Sequence, residues 1–125
     1  MAGVKHHEDL VAWQLSEELR HVIVGFLAVH AVSRHRRFCD QIDRSSSSAP
    51  ANIAEGFARY KPREFARYMR IALGSLGETQ NHLRRALKDG ILSQEQFDKA
   101  WSLSIGAIKA SKRLHSYLRR CDDRE

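Results

Sequence analysis

Lysine and arginine are the side chains whose number and grouping in this sequence give them chemistry to do. Between Gly106 and Cys121 stand Lys109, Lys112, Arg113, Arg119 and Arg120, with no acidic residue among them. Arg34, Arg36 and Arg37 form a second group. Arg59, Lys61, Arg63, Arg67 and Arg70 form a third, interleaved with Tyr60 and Tyr68. Guanidinium and ammonium groups pair with phosphate oxygens, and an aromatic ring stacks on an unpaired base, so the pattern points to RNA or DNA. A formal net charge of +6 and a pI near 9.7 agree with an acidic partner. The competing reading is a solvated surface on an assembly module that binds a protein, its charge serving solubility. No recognition helix, zinc finger or RNA-binding sheet motif accompanies the cations.

Enzyme chemistry finds less support. Helical bundles hold paired metals with glutamates and Glu-x-x-His motifs. Glu18-Leu19-Arg20-His21 has that spacing, and Glu55, Glu78 and His82 lie on later helices. A second Glu-x-x-His is missing, and the fourth helix has no carboxylate in its middle, so no metal is expected. The run Ser45-Ser46-Ser47-Ser48 has no histidine and acid partner to activate a nucleophile. The glycines are spread through helical patterns and do not join a strand to a helix as a phosphate loop requires. Cys39 and Cys121 lack a Cys-x-x-Cys spacing and read as free thiols. The chain therefore reads as a non-enzyme without cofactor.

The elements that must position the cations are helical. Asp9 is placed to cap a helix from Leu10 to Ala31, with Leu15, Leu19, Val22, Phe26 and Val29 on one face and Trp13 beside them. Ser33 to Arg37 then reads as a short basic loop. The period resumes at Phe38 and keeps phase through Ile42, Ala49, Ile53 and Phe57, predicting a second helix to Tyr60, bent at Pro50. Two short helices with a break at the serine run are the alternative. A third helix is predicted from Pro62 to Lys88, carrying Phe65, Met69, Ala72, Leu76, Leu83 and Leu87, and ended by Asp89-Gly90. Ser93 to Gln96 has capping-box spacing and opens a fourth, with Phe97, Trp101, Ile105, Ile108, Leu114 and Leu118 on its apolar face.

With 125 residues, 42% hydrophobic and 29% charged, the chain is expected to form one domain, an all-α antiparallel up-and-down four-helix bundle. Residues 1–8 and 121–125 are expected to be flexible. Its longest apolar stretch, residues 22–32, is too short to cross a bilayer, and the N-terminus lacks a secretory core, so no membrane association and a cytoplasmic location are expected. Gly56, Gly74, Gly77 and Gly106 fall inside helices, each at a cost of up to about 1 kcal/mol. Close helix approach, within the bundle or between subunits, is the expected compensation.

These residues resemble the bacterial four-helix bundle proteins related to those encoded by intervening sequences in large-subunit ribosomal RNA genes. The resemblance is carried by Asp9-Leu10-Val11-Ala12-Trp13-Gln14, by Ile53-Ala54-Glu55-Gly56-Phe57-Ala58-Arg59, and by Glu64-Phe65 with Ala72-Leu73-Gly74-Ser75-Leu76-Gly77-Glu78. It implies a compact bundle that assembles as a ring-like homopentamer without established enzymatic activity. A related branch, the accessory proteins of diversity-generating retroelements, implies a basic pentamer that binds a reverse transcriptase and nucleic acid. The chain departs from the family pattern at Ser45 to Ser48, where arginine, alanine and valine are more usual, and at Lys61-Pro62, where a capping serine is expected. Trp13, Glu55, Gly56, Gly74, Gly77 and Glu78 lie in the shared motifs and are read as structural or subunit-interface residues.

Overall fold

The computed structural model describes residues 3–59 and 61–121. A 3-10 turn, His7–Asp9, leads into α1 (Val11–Leu27). After it come the short α2 (His30–Ser33), α3 (Arg36–Arg59), α4 (Pro62–Lys88) and α5 (Gln94–Arg120). Among the described residues there is no strand, and no helix is long and apolar enough to cross a membrane.

The four long helices pack in a cycle, α1 on α3, α3 on α4, α4 on α5 and α5 on α1. Cross-helix contacts fix their directions. Ser45 meets Thr79 and Ser48 meets Ser75, Gln80 meets Ser104, Arg84 lies over Trp101, and Arg20 meets Asp43. In the first two pairings, between α3 and α4, the residue numbers rise on one helix as they fall on the other. The Gln80 and Arg84 contacts behave likewise between α4 and α5. These neighbours therefore run antiparallel, as short connections require.

The apolar core falls into two clusters. Leu19, Ile23, Val32, Ile42, Leu76, Leu83 and Leu92 gather toward α2, while Leu10, Ile53, Phe65, Met69 and Leu118 gather toward the α3–α4 corner. Ser16, Ser75 and Ser111 sit where one cluster gives way to the other. All three are buried.

Several sequence expectations need correction. The first helix stops at Leu27, because Val29 adopts an extended conformation before α2 begins. The break leaves Val29 exposed and turns Val32 into the core in its place. Asp9 does not cap α1. It lies in the preceding turn and accepts from the His6 backbone N–H at 3.3 Å, while Leu10 occupies the cap position without a side-chain bond. Arg36 and Arg37 belong to the first turn of α3, not to a loop.

The alternative of two short helices is overturned, since α3 is continuous through Pro50. The hydroxyls of Ser45, Ser46 and Ser47 each donate to the carbonyl three residues back, and Ser45, Ser46, Ala49, Pro50 and Ile53 are buried. Burial of this face outweighs the helix-breaking tendency of one proline. Tyr60 and residues 122–125 lie outside the described residues, as do residues 1 and 2.

The third helix has its expected bounds, with Pro62 in the first turn. Gly90 follows at φ +73°, the left-handed conformation a glycine cap adopts without a Cβ penalty. Ser93 accepts from Gln96 N–H at 3.1 Å and its own N–H donates to Gln96 Oε1 at 2.8 Å, completing the capping box. On α5 Leu118 is buried and Phe97, Trp101, Ile108 and Leu114 pack half-buried against the core as expected, whereas Ile105 is 41% exposed. The fully buried positions between them are Ala100, Ser104, Ala107 and Ser111.

Candidate nucleic-acid interface

Every cation singled out in the sequence is exposed: Arg34, Arg36, Arg37, Arg59, Lys61, Arg63, Arg67, Lys109, Lys112, Arg113, Arg119 and Arg120. The fold divides them between two ends. Arg34 stands just before α3 and Arg36 and Arg37 in its first turn, where Arg37 lines a surface cavity with Arg85 and Asp89 from the C-terminal end of α4. The end of α3, the start of α4 and the end of α5 meet at the opposite pole. Phe57, Pro62, Phe65, Tyr117 and Leu118 line one cavity of about 190 Å³ there. That pole gathers Arg59, Lys61, Arg63, Arg67, Arg119 and Arg120. With 27 residues in α4, the two ends lie about 40 Å apart, so they are separate patches.

At the α3–α4 corner the charges are already engaged. Arg59 Nε donates to Glu55 Oε2 at 3.1 Å, and Arg67 lies 3.6 Å from Glu64. Both guanidiniums cover Tyr68, at 5.3 and 4.8 Å from its ring centre. The hydrogen bond to Glu55 holds the Arg59 pKa above its ordinary value. These contacts clasp the corner. Gly56 allows them, because a Cβ there would stand 2.7 Å from Phe65 Cδ1 and 2.8 Å from Tyr68 Cβ.

On α5 the basic residues separate into two rows. Arg113 lines a groove with Ala110, Leu114 and the α1 residues Leu10, Val11 and Ala12. Lys112, His115 and Arg119 continue, at steps of three and four, the row that begins at Trp101 and Ser104 against α4. His115 Nε2 is buried without a hydrogen-bond partner. Desolvation, then the charges of Arg119 and Arg70, push the pKa of His115 down.

The motif residues read as structural separate in the same way. Trp13 is half-buried and meets the His7 ring edge-on at 5.0 Å. Gly56 is the site of close approach. Gly74 and Gly77 face open space, with nothing within 4 Å of an added Cβ, so close packing inside the subunit does not explain them. Glu55 serves Arg59, and Glu78 lies 3.5 Å from His82 Nε2 on the exposed side of α4.

Glu18 and His21 line a surface groove with Glu17 and Arg20, away from Glu55 and Glu78. Among the described residues no three His, Cys, Asp or Glu side chains gather where they could hold a metal.

Sequence reasoning passed over Arg84, Trp101, Phe97 and His115 as surface-site residues. Phe97 and Trp101 stack at 5.3 Å with ring planes 17° apart, and Arg84 covers Trp101 at 4.6 Å. Their apolar spacing marks them as core, and the overlying arginine comes from another helix.

An all-helical bundle with cations on its surface defines a structural class rather than an activity. Across residues 8–113 the chain matches the 23S rRNA-intervening sequence protein family, and it belongs to that family. It is similar to the solved structure of a protein of unknown function from the S23 ribosomal protein family of Bacteroides thetaiotaomicron. The two share 26% identity at a TM-score of 0.71, covering 87% of this chain and 99% of that one. No curated protein matches the chain.

Proposed function

We propose that this chain is a non-enzymatic, self-associating helical bundle of the cytoplasm that holds nucleic acid or a nucleoprotein on its basic surface. The observation that carries the reading is the convergence of three helix ends at one pole, where Arg59, Lys61, Arg63, Arg67, Arg119 and Arg120 are all exposed. Each subunit offers a weak electrostatic site, and an oligomer multiplies it. Self-association is supported by the outer face of α4, where exposed Ile71 adjoins the open position Gly74. Five copies in a ring is what the family resemblance implies.

Anisotropy of labelled RNA and DNA titrated with the protein at two salt concentrations tests the reading. Sub-micromolar binding that weakens steeply with salt is the expected result. No binding at low salt would overturn it.

The alternative, a module for a protein partner, has its own supporting observation. The groove between α1 and α5 has a volume of about 260 Å³ and a mainly apolar lining, with Val11 59% exposed beside it. Light scattering at several protein concentrations tests self-association under either reading.

A further inference from the structure

We propose that the seam between α4 and α5 is a track for single-stranded nucleic acid. Phosphates are held by Arg70, Lys112 and Arg119 around His115, and one unpaired base is taken up at Trp101 beneath Arg84. The inference rests on the nucleic-acid reading above and narrows it to one groove and one strand class.

Register sets which residues line the seam. Gln80 bonds Ser104 at 2.9 Å and Arg84 covers Trp101. Carried along two antiparallel helices, that pairing sets Arg70 opposite His115. The charge of Arg70 reaches His115 from across the seam, and that of Arg119 from one turn further along α5. On α4 the seam row runs Arg70, Leu73, Gly77, Gln80, Arg84. On α5 it runs Trp101, Ser104, Ile108, Lys112, His115, Arg119. Neither row contains an acid.

Arg70, Lys112 and Arg119 are exposed, and among the described residues no ion pair engages them. Nearby carboxylates are turned elsewhere, Glu78 toward His82 and Asp98 toward Gln94 Nε2 at 2.8 Å. The charges of Arg119 and Arg70 both act on the half-buried His115 ring, so this part of the seam has a positive field that an anion would offset.

The other end of the seam carries the stacking group. Arg70 and Arg84 are separated by about 21 Å along α4, enough for several nucleotides of an extended strand. The Trp101 indole is stacked on Phe97 and covered by the Arg84 guanidinium. A base takes the guanidinium's place on the ring, and Arg84 turns to the adjoining phosphate. A duplex keeps its bases stacked on one another and cannot offer one to Trp101, so the strand class follows from the geometry. The α3–α4 corner is the poorer site, since Arg59 and Arg67 are bound to Glu55 and Glu64.

The test compares a labelled oligo-uridine strand of about a dozen nucleotides with a blunt RNA duplex of the same length, at about 50 and 200 mM salt. The strand is expected to bind about tenfold tighter or better. Arg70→Gln combined with Arg119→Gln weakens strand binding about tenfold and flattens the salt dependence by about one to two contacts. Trp101→Leu weakens it about tenfold and leaves the salt slope unchanged. Circular dichroism checks that this variant folds. If it does not, quenching of Trp101 fluorescence on strand binding, read in a Trp13→Phe background, gives the same answer.

Equal affinity for strand and duplex, or wild-type strand binding by the seam variants, overturns the seam proposal and leaves the nucleic-acid reading standing. Absence of binding to either probe at low salt overturns both.

Discussion

The two long faces of α4 are built in opposite ways. Toward α3 the contact is small, close and self-sufficient. Thr79 and Ser75 reach Ser45 and Ser48, each at 2.8 Å, and Gly56 admits Phe65 and Tyr68. Arg59 and Arg67 at that corner are paired with Glu55 and Glu64. Toward α5, the α4 row pairs Gln80 with Ser104, opens at Gly77, and carries arginines that find no carboxylate among the described residues. The first face spends its polar groups on the fold, and the second leaves them available to a partner. Counting cations in the sequence does not separate the two, because Arg59 and Arg70 look alike there.

The largest expected effect breaks the first face. Gly56→Ala would place its methyl 2.7 Å from Phe65 Cδ1 and 2.8 Å from Tyr68 Cβ, and the latter is anchored to the backbone. Overpacking of this kind costs about 1–3 kcal/mol, of which helix propensity returns about 1 at most. Urea unfolding should therefore show a clear loss. Gly74→Ala, on the open side, has no such clash and should stabilise the isolated subunit by up to about 1 kcal/mol. If α4's outer face is the subunit contact, the same change weakens the oligomer in light scattering. A loss of subunit stability at Gly74 equal to that at Gly56 would erase the distinction between the two sides.

Two smaller changes sharpen it. Thr79→Val removes the hydroxyl that donates to Ser45 Oγ or to the Ser75 carbonyl, and should cost about 1 kcal/mol. Ser111 is equally buried, yet its hydroxyl has no hydrogen-bond partner. Ser111→Ala removes an unsatisfied group and adds helix propensity, so a gain of up to about 1 kcal/mol is expected in the same unfolding experiment.

What was legible in the sequence was whatever a few neighbouring residues decide. Pro62, Gly90 and the Ser93–Gln96 capping box fixed helix ends, because each is a local hydrogen-bond or backbone requirement. The break at Val29 escaped because hydropathy does not say whether Val29 or Val32 reaches the core. The small buried residues of α5 escaped because alanine and serine are buried where helices run close together, which left Ile105 outside. The site was half legible. Exposure of the cations followed from their type, but Arg59 and Glu55 stand one turn apart, while Arg70 comes opposite His115 only through the register of two helices. Trp101 packs against the core as its spacing says, but its cover by Arg84 was hidden for the same reason, since that side chain reaches it from α4.

His115 gives the smallest effect and ties the two faces to pH. Burial, Arg119 on its own helix and Arg70 from α4 hold its pKa below the ordinary 6.5. The unfolded chain therefore binds more protons at this residue than the folded chain does between the folded pKa and 6.5. Its share of stability is intact above about 6.5 and is lost as pH falls through the folded pKa. His115→Gln should flatten that part of the stability profile in urea unfolding across the range, whereas Arg59→Gln, at the internally paired corner, should leave it unchanged. A phosphate lodged between Arg70 and Arg119 would offset the charges that depress the imidazole and raise its pKa. Strand-bound protein should then lose less stability on acidification than free protein, and strand affinity should rise as pH falls. Identical profiles for the wild type and His115→Gln would mean that the imidazole is not held in that field.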